Sequence, residues 1–176
     1  EAMRLNVAGL SRISKTEILI GSARYFDGSD INMNAVGLAQ RLGKNGTFGV
    51  SLMALDVGDI AVTTENLPGG TGSFFSPSIF NIGLSYAHMF ENKVSVGLTF
   101  RGIAESNSNV SAFGFAIDAG VQYVTGPKDN FKFGISLRNI GSPMQFSGEG
   151  LSQQAPEPEL QEYNITYFRR ADRFEL

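Results

Sequence analysis

Cysteine is absent from the 176 residues, so neither a disulfide framework nor a thiolate metal site can be built. Tryptophan is absent too, while phenylalanine occurs 14 times and glycine 21 times. Histidine occurs once, which leaves no His-based metal cluster or catalytic triad. Charged residues make up 18% of the chain, below the roughly 25% of soluble domains. The net charge of −3 offers no basic footprint for nucleic acid. No run approaches the ~18 apolar residues of a membrane-crossing helix, and mean hydropathy is close to zero. A membrane-spanning chain of this composition has to be a barrel, whose lipid-facing and lumen-facing residues alternate and average out.

Enzymatic signatures are missing as well. No serine sits in a Gly-x-Ser-x-Gly elbow. Gly69 and Gly70 fall in a long loop, not between a strand and a helix, which argues against a phosphate cradle. No catalytic residue, cofactor or metal is therefore expected.

What is present is strand periodicity. From Phe80 to Phe90 the even positions are Phe, Ile, Leu, Tyr, His and Phe, and the odd ones Asn, Gly, Ser, Ala and Met. That is period two over the about 9–11 residues of a membrane-crossing strand. Val94, Val96, Leu98 and Phe100 continue the pattern against Ser95, Gly97, Thr99 and Arg101. Phe113, Phe115, Ile117, Ala119, Val121 and Tyr123 oppose Ala112, Gly114, Ala116, Asp118, Gly120 and Gln122. Phe131, Phe133, Ile135 and Leu137 alternate with Lys132, Gly134, Ser136 and Arg138. Phe48 to Ala54 is a weaker strand of the same kind. Glu17 to Phe26 and Ile31 to Leu42 have muddier faces: Ile18 to Ile20 is apolar on both sides, and Asn32 and Asn34 share a face with Val36 and Leu38. About seven strands are expected, and no long helix.

Short turns at 43–46, 91–93 and 126–130 recur after every second strand, with long links such as 57–77 and the stretch beyond Gly141 on the other side. A polar loop is expected at 105–109. Short turns on one side and long loops on the other match a transmembrane barrel with its short side periplasmic. A soluble sandwich would alternate too. Against it stand strands of about ten residues where about five or six are usual. Their second faces are small, as Asn81, Gly83, Ser85 and Ala87 are, and suit a filled or narrow lumen. Aromatic residues also bracket the apolar bands. The fold expected is all-β, an antiparallel transmembrane β-barrel, with the apolar face toward lipid. Bacterial barrels have even strand numbers, so further strands are expected after residue 176. The first residues lack the basic start and apolar run of a signal peptide.

Several runs resemble the PorV/PorQ family, outer-membrane barrels of Bacteroidota tied to type IX secretion. They are VSAFGFAIDAGVQYVTG (Val110 to Gly126), FKFGISLRNIG (Phe131 to Gly141) and PMQFSG (Pro143 to Gly148). Ala8-Gly9-Leu10 stands where such proteins often read Asn-Pro-Ala-Gly-Leu, with Asn6-Val7 here in place of Asn-Pro. Arg24 to Phe26, Asp30-Ile31, Phe75 to Ser78, Asn81 to Gly83 and Phe174 to Leu176 also look like family positions. The resemblance implies a fatty-acid-transporter-like barrel of about fourteen strands. Residues 1–176 would then be the N-terminal half of a single outer-membrane domain. It implies a component of the secretion system that binds or shuttles cargo by its C-terminal signal domain. Partners would be outer-membrane lipid, secreted cargo signal domains and translocon or attachment-complex proteins, with no nucleic acid. The alternative function is an outer-membrane channel for hydrophobic small molecules.

Three groups of residues are singled out. His88 shares the outward face with Tyr86 and Phe90 near a short turn and reads as interfacial. Arg101, Asp118, Lys132 and Arg138 share the small-residue face as a lumen charge network, with Asp118 expected to pair with Arg138, or else with Lys132 or Arg101. Leu67, Phe74 and Phe75 in one long loop, and Met144, Phe146 and Leu151 in another, are expected to carry partner binding. Glu157 and Glu159, in a Pro-spaced loop, read as solvated.

Overall fold

The computed structural model describes residues 2–26, 28–90, 93–126, 128–154 and 166–168. Glu91, Asn92, Pro127, Glu157, Glu159 and the closing Phe174 to Leu176 lie outside them. The chain is all-β, with one antiparallel sheet as its body. A four-residue α1 (Ala2–Leu5) and a 3-10 segment (Val7–Arg12) come first. The strands follow as β1 (Thr16–Arg24), β2 (Asn32–Leu42), β3 (Gly46–Asp56), β4 (Ile60–Ala61), β5 (Phe74–Phe75), β6 (Ser78–Phe90), β7 (Val94–Asn107) and β8 (Val110–Thr125). The last are β9 (Phe131–Gly141), β10 (Phe146–Ser147), β11 (Ser152–Gln154) and β12 (Thr166–Phe168). The long strands pair in the order β1-β2-β3-β6-β7-β8, and both β9 and β10 pair with β8. Among the described residues the sheet is open, with β1 at one edge and β9 and β10 at the other.

Alternation sets which side of the sheet each residue takes, because successive side chains of an extended chain point to opposite faces. Phe80, Ile82, Leu84, Leu98, Phe100, Phe115, Ile117, Phe133 and Ile135 all fall on one face and are exposed, Phe100 and Phe115 by about 60%. Gly83, Ser85, Ala87, Gly97, Thr99, Gly114, Ala116 and Gly120 fall on the other and are buried. The usual order of a half-buried sheet is thus inverted. The large apolar face is bare, and the small face is packed across β6, β7 and β8, while β1 and β9 are exposed on both faces.

What covers the small face is the N-terminal segment. Val7, Ala8, Leu10, Ser11 and Ile13 are buried where residues 7–12 lie across β6, β7 and β8. Small residues are needed there because the backbones approach closely. A Cβ on Gly97 would come within 2.8 Å of the Val7 carbonyl carbon, and one on Gly120 would strike the Asn6 side chain. Side-chain hydrogen bonds pin the segment. Asn6 Oδ1 accepts from the Ala8 amide at 3.1 Å, capping the 3-10 turn, while its Nδ2 donates to the Val121 and Ile135 carbonyls, each at 3.2 Å. Ser11 Oγ donates to Ser95 Oγ at 2.9 Å, and Arg41 donates to the Ile13 carbonyl at 2.7 Å.

Two expectations about connections change. The polar loop expected at 105–109 is a two-residue turn, because β7 and β8 run on in register to Asn107↔Val110. Ser108, at φ 52°, takes the left-handed conformation such tight hairpins require. Long links therefore do not occur at every second connection. The link 57–77 is not structureless either. β4 and β5 form a small ladder, Ile60↔Phe75 and Ala61↔Phe74, and a bridge joins Thr64 to Leu67.

Candidate functional site

Asp118 sits on the packed face of β8, only 4% exposed. A buried carboxylate needs a cationic or hydrogen-bonding partner. Arg101 of β7 supplies it, with Nη2 2.8 Å from Asp118 Oδ1. Arg101 pairs with Ala116 across the ladder and Thr99 with Asp118, so the two charges are diagonal neighbours, within reach of a long side chain. Asp118 Oδ1 also accepts from the Asn139 amide at 2.8 Å, and Arg101 Nη2 donates to the Asn139 side-chain oxygen.

The expected Asp118–Arg138 pair does not form, and the reason is a β-bulge. Ala119 pairs with Leu137 but Ile117 pairs with Ile140, so Arg138 and Asn139 together oppose Asp118. Asn139 takes the left-handed conformation at φ 60°, and its amide meets the carboxylate in place of the Arg138 guanidinium. Arg138 lines the same shallow depression as Asp118, Arg4, Asn6 and Ser136, with no bond to the carboxylate. Lys132 stands opposite Val124, nearer the 126–130 turn, and does not join the group. Arg4, which the sequence pattern did not single out, does join it. Burial, then repulsion from Arg101 and Arg138, hold its guanidinium below the usual arginine range. Its helix is too short to show a period, so no local pattern marks it.

The loop residues divide. Leu67 and Phe74 are exposed by 53% and 64% on the 57–77 link, and Phe75 is half-buried in its ladder with Ile60. Met144 is buried, against the expectation of a surface anchor, because the chain turns it onto Gly114, where a Cβ would come within 2.6 Å of its Cγ. Phe146 pairs with Ala112 and is half-buried, as is Leu151. The described part of the second loop thus folds back on β8, the strand before the one it follows, and the first carries the exposed apolar side chains. The remainder of the second loop, residues 155–165, lies outside the described residues.

His88 is half-buried, its ring edge-on to Phe90 at 4.6 Å, with the Tyr86 hydroxyl 3.5 Å from Nδ1. Among the described residues no group of three or more His, Asp or Glu side chains could hold a metal ion, and no helix is long and apolar enough to cross a membrane. No family model, no curated protein and no solved structure matches the chain.

Proposed function

We propose that this chain forms part of an outer-membrane β-barrel of type IX secretion that binds or shuttles cargo by its C-terminal signal domain. One observation carries the membrane assignment. In a sheet of seven strands of nine to sixteen residues, β6, β7 and β8 bury their small face, while the Phe, Leu and Ile side chains of the other face are bare. In water such a belt far exceeds the few hundred Å² of apolar patch that soluble monomers expose. Against acyl chains it needs no further cover. The family resemblance supplies the system, and the 57–77 link supplies the candidate contact. Leu67 and Phe74 are held out on a hydrogen-bonded scaffold, the arrangement of an aromatic anchor on a rigid base. A binder is favoured over a channel for hydrophobic solutes because the N-terminal segment lies across the inner face of β6 to β8.

The test replaces Phe74 and Phe75 together by Ser and follows barrel assembly and cargo display on the cell surface. Normal assembly with lost display is expected. Normal assembly with undiminished display excludes this link as the binding site. Failed assembly assigns the two rings to the barrel rim instead.

A further inference from the structure

The short-turn end of the sheet carries a charge pattern that cargo capture does not use. All five lysines of the chain belong to it. Lys44, Lys93 and Lys128 are exposed, one on each of the turns that join β2 to β3, β6 to β7 and β8 to β9. Lys15 lies beside the first turn, its carbonyl accepting from the Arg41 amide at 2.7 Å, and Lys132 stands opposite Val124 close to the third. The described acids here are Glu17 and Asp129, and Glu91 adjoins Lys93 in the sequence. At the other end of the strands, and on its links, stand Asp30, Asp56, Asp59, Glu65 and Glu105, with Arg24. The chain is thus polarised along its strands, basic at the short turns and acidic at the far end.

The second observation is on the bare apolar face. An open groove of about 810 Å³ runs there from the basic end to mid-strand, within the size range of small-molecule sites. Ala119 makes its floor. It pairs with Leu98 on one side and Leu137 on the other, so a methyl stands between two long side chains. Val96 is half-buried beside it, while Phe48, Phe90 and Ile135 line the sides. Two polar groups sit toward the turn end. The Tyr86 hydroxyl leans over β3, where a Cβ on Gly46 would come within 3.0 Å of it, and His88 Nδ1 is 3.5 Å away.

We infer that this corner of the sheet holds an anionic phospholipid, one acyl chain in the groove and its phosphate among Tyr86, His88 and the turn lysines. The inference rests on the membrane reading above. Tyrosine and lysine at the end of an apolar strand face suit the headgroup level, where the amphipathic ring spans the boundary and the ammonium meets phosphate. A zwitterionic lipid would fill the groove but bring its own cation to the lysines. Free phosphate would gain the charge and leave the groove empty. An acidic protein could cover the turns, but not a groove on the lipid-facing side. The acidic far end repels the same headgroup, so one leaflet is selected.

The experiment places the full chain in phosphatidylcholine nanodiscs. These contain phosphatidylglycerol with a diazirine in one acyl chain or, in parallel discs, phosphatidylcholine labelled in the same way. After irradiation, cross-links are mapped by mass spectrometry. Phosphatidylglycerol should label Phe48, Phe90 and Val96 in preference to Phe80 and Phe113, which lie toward the far end, and phosphatidylcholine should show no such preference. Unlabelled phosphatidylglycerol should compete, and inorganic phosphate should not. Changing Lys44, Lys93 and Lys128 together to Gln should weaken the preferred labelling about 10- to 100-fold, and changing all three to Arg should retain it. Ala119→Phe, which raises the floor without touching the lysines, should abolish labelling in the groove. Equal labelling of the groove by the two lipids, undiminished labelling in the triple Gln variant, or equal phosphatidylglycerol labelling at both ends would each overturn the inference while leaving the membrane reading intact. Absence of labelling by either lipid at Phe100 and Phe115 would overturn both.

Discussion

Replacing Asp118 with Ala removes the acid from a pair whose side chains are only 9% and 5% exposed, Arg101 and Asp118 respectively. Breaking a buried pair from one side costs about 3–5 kcal/mol, because the surviving charge stays desolvated. Arg101 would keep the Asn139 side-chain oxygen as an acceptor, which favours the lower end of that range. The Asn139 amide would lose its acceptor, adding about 1 kcal/mol. The expected destabilisation is therefore about 3–4 kcal/mol. Removing both charges, as Arg101→Met with Asp118→Leu, leaves no stranded ion and should recover all but about 1 kcal/mol. Arg138→Ala is the internal control, expected to cost under about 1 kcal/mol because Arg138 holds no bond to the carboxylate. The assay is urea unfolding of the chain refolded into phospholipid, with Asp118→Ala, Arg101→Ala, Arg138→Ala and the double variant compared by midpoint and slope. Two results would refute the assignment: an Asp118→Ala protein within about 0.5 kcal/mol of the parent, or a double variant no more stable than Asp118→Ala. A larger cost for Arg138→Ala than for Arg101→Ala would mean that the bulge at Asn139 is absent and that Asp118 pairs with Arg138.

Two further outcomes follow from the two faces of the sheet. Leu98→Arg, on the exposed apolar face near mid-strand, should lower stability in bilayers by about 2–4 kcal/mol, measured by the same unfolding assay; a neutral result would place that face outside lipid. Gly97→Val would drive a side chain into the Val7 backbone and should cost about 1–3 kcal/mol of overpacking. It should also make residues 7–13 accessible to protease, and continued protection there would show that the segment does not rest on β7.

The faces of β6 to β9 were legible in residue order alone. In an extended chain parity fixes the side each residue takes, and these strands keep their parity without interruption through β6, β7 and most of β8. Strand existence was legible for the same reason, even in β1 and β2, where both faces are mixed. That mixing marked something real. The inward Met33 and Ala35 of β2, like the inward Met53 and Leu55 of β3, line an open depression together with Arg4. The turn between β7 and β8 was misread because polar residues at 105–107 look like loop, yet the ladder carries them to Asn107.

Composition and alternation by themselves determined an all-β chain with one apolar and one small face and no chemistry built on cysteine or histidine clusters. They did not determine what the small face packs against, because a four-residue helix and a 3-10 turn have no period to read; contact with Gly97, Gly120 and Ser95 positions them. Nor did they determine the partner of Asp118. That choice turns on one extra residue in β9, which hands the carboxylate to the Asn139 amide and to an arginine on the opposite neighbouring strand. A bulge is a property of two strands laid side by side, so pairing alone decides where it falls and which charges meet.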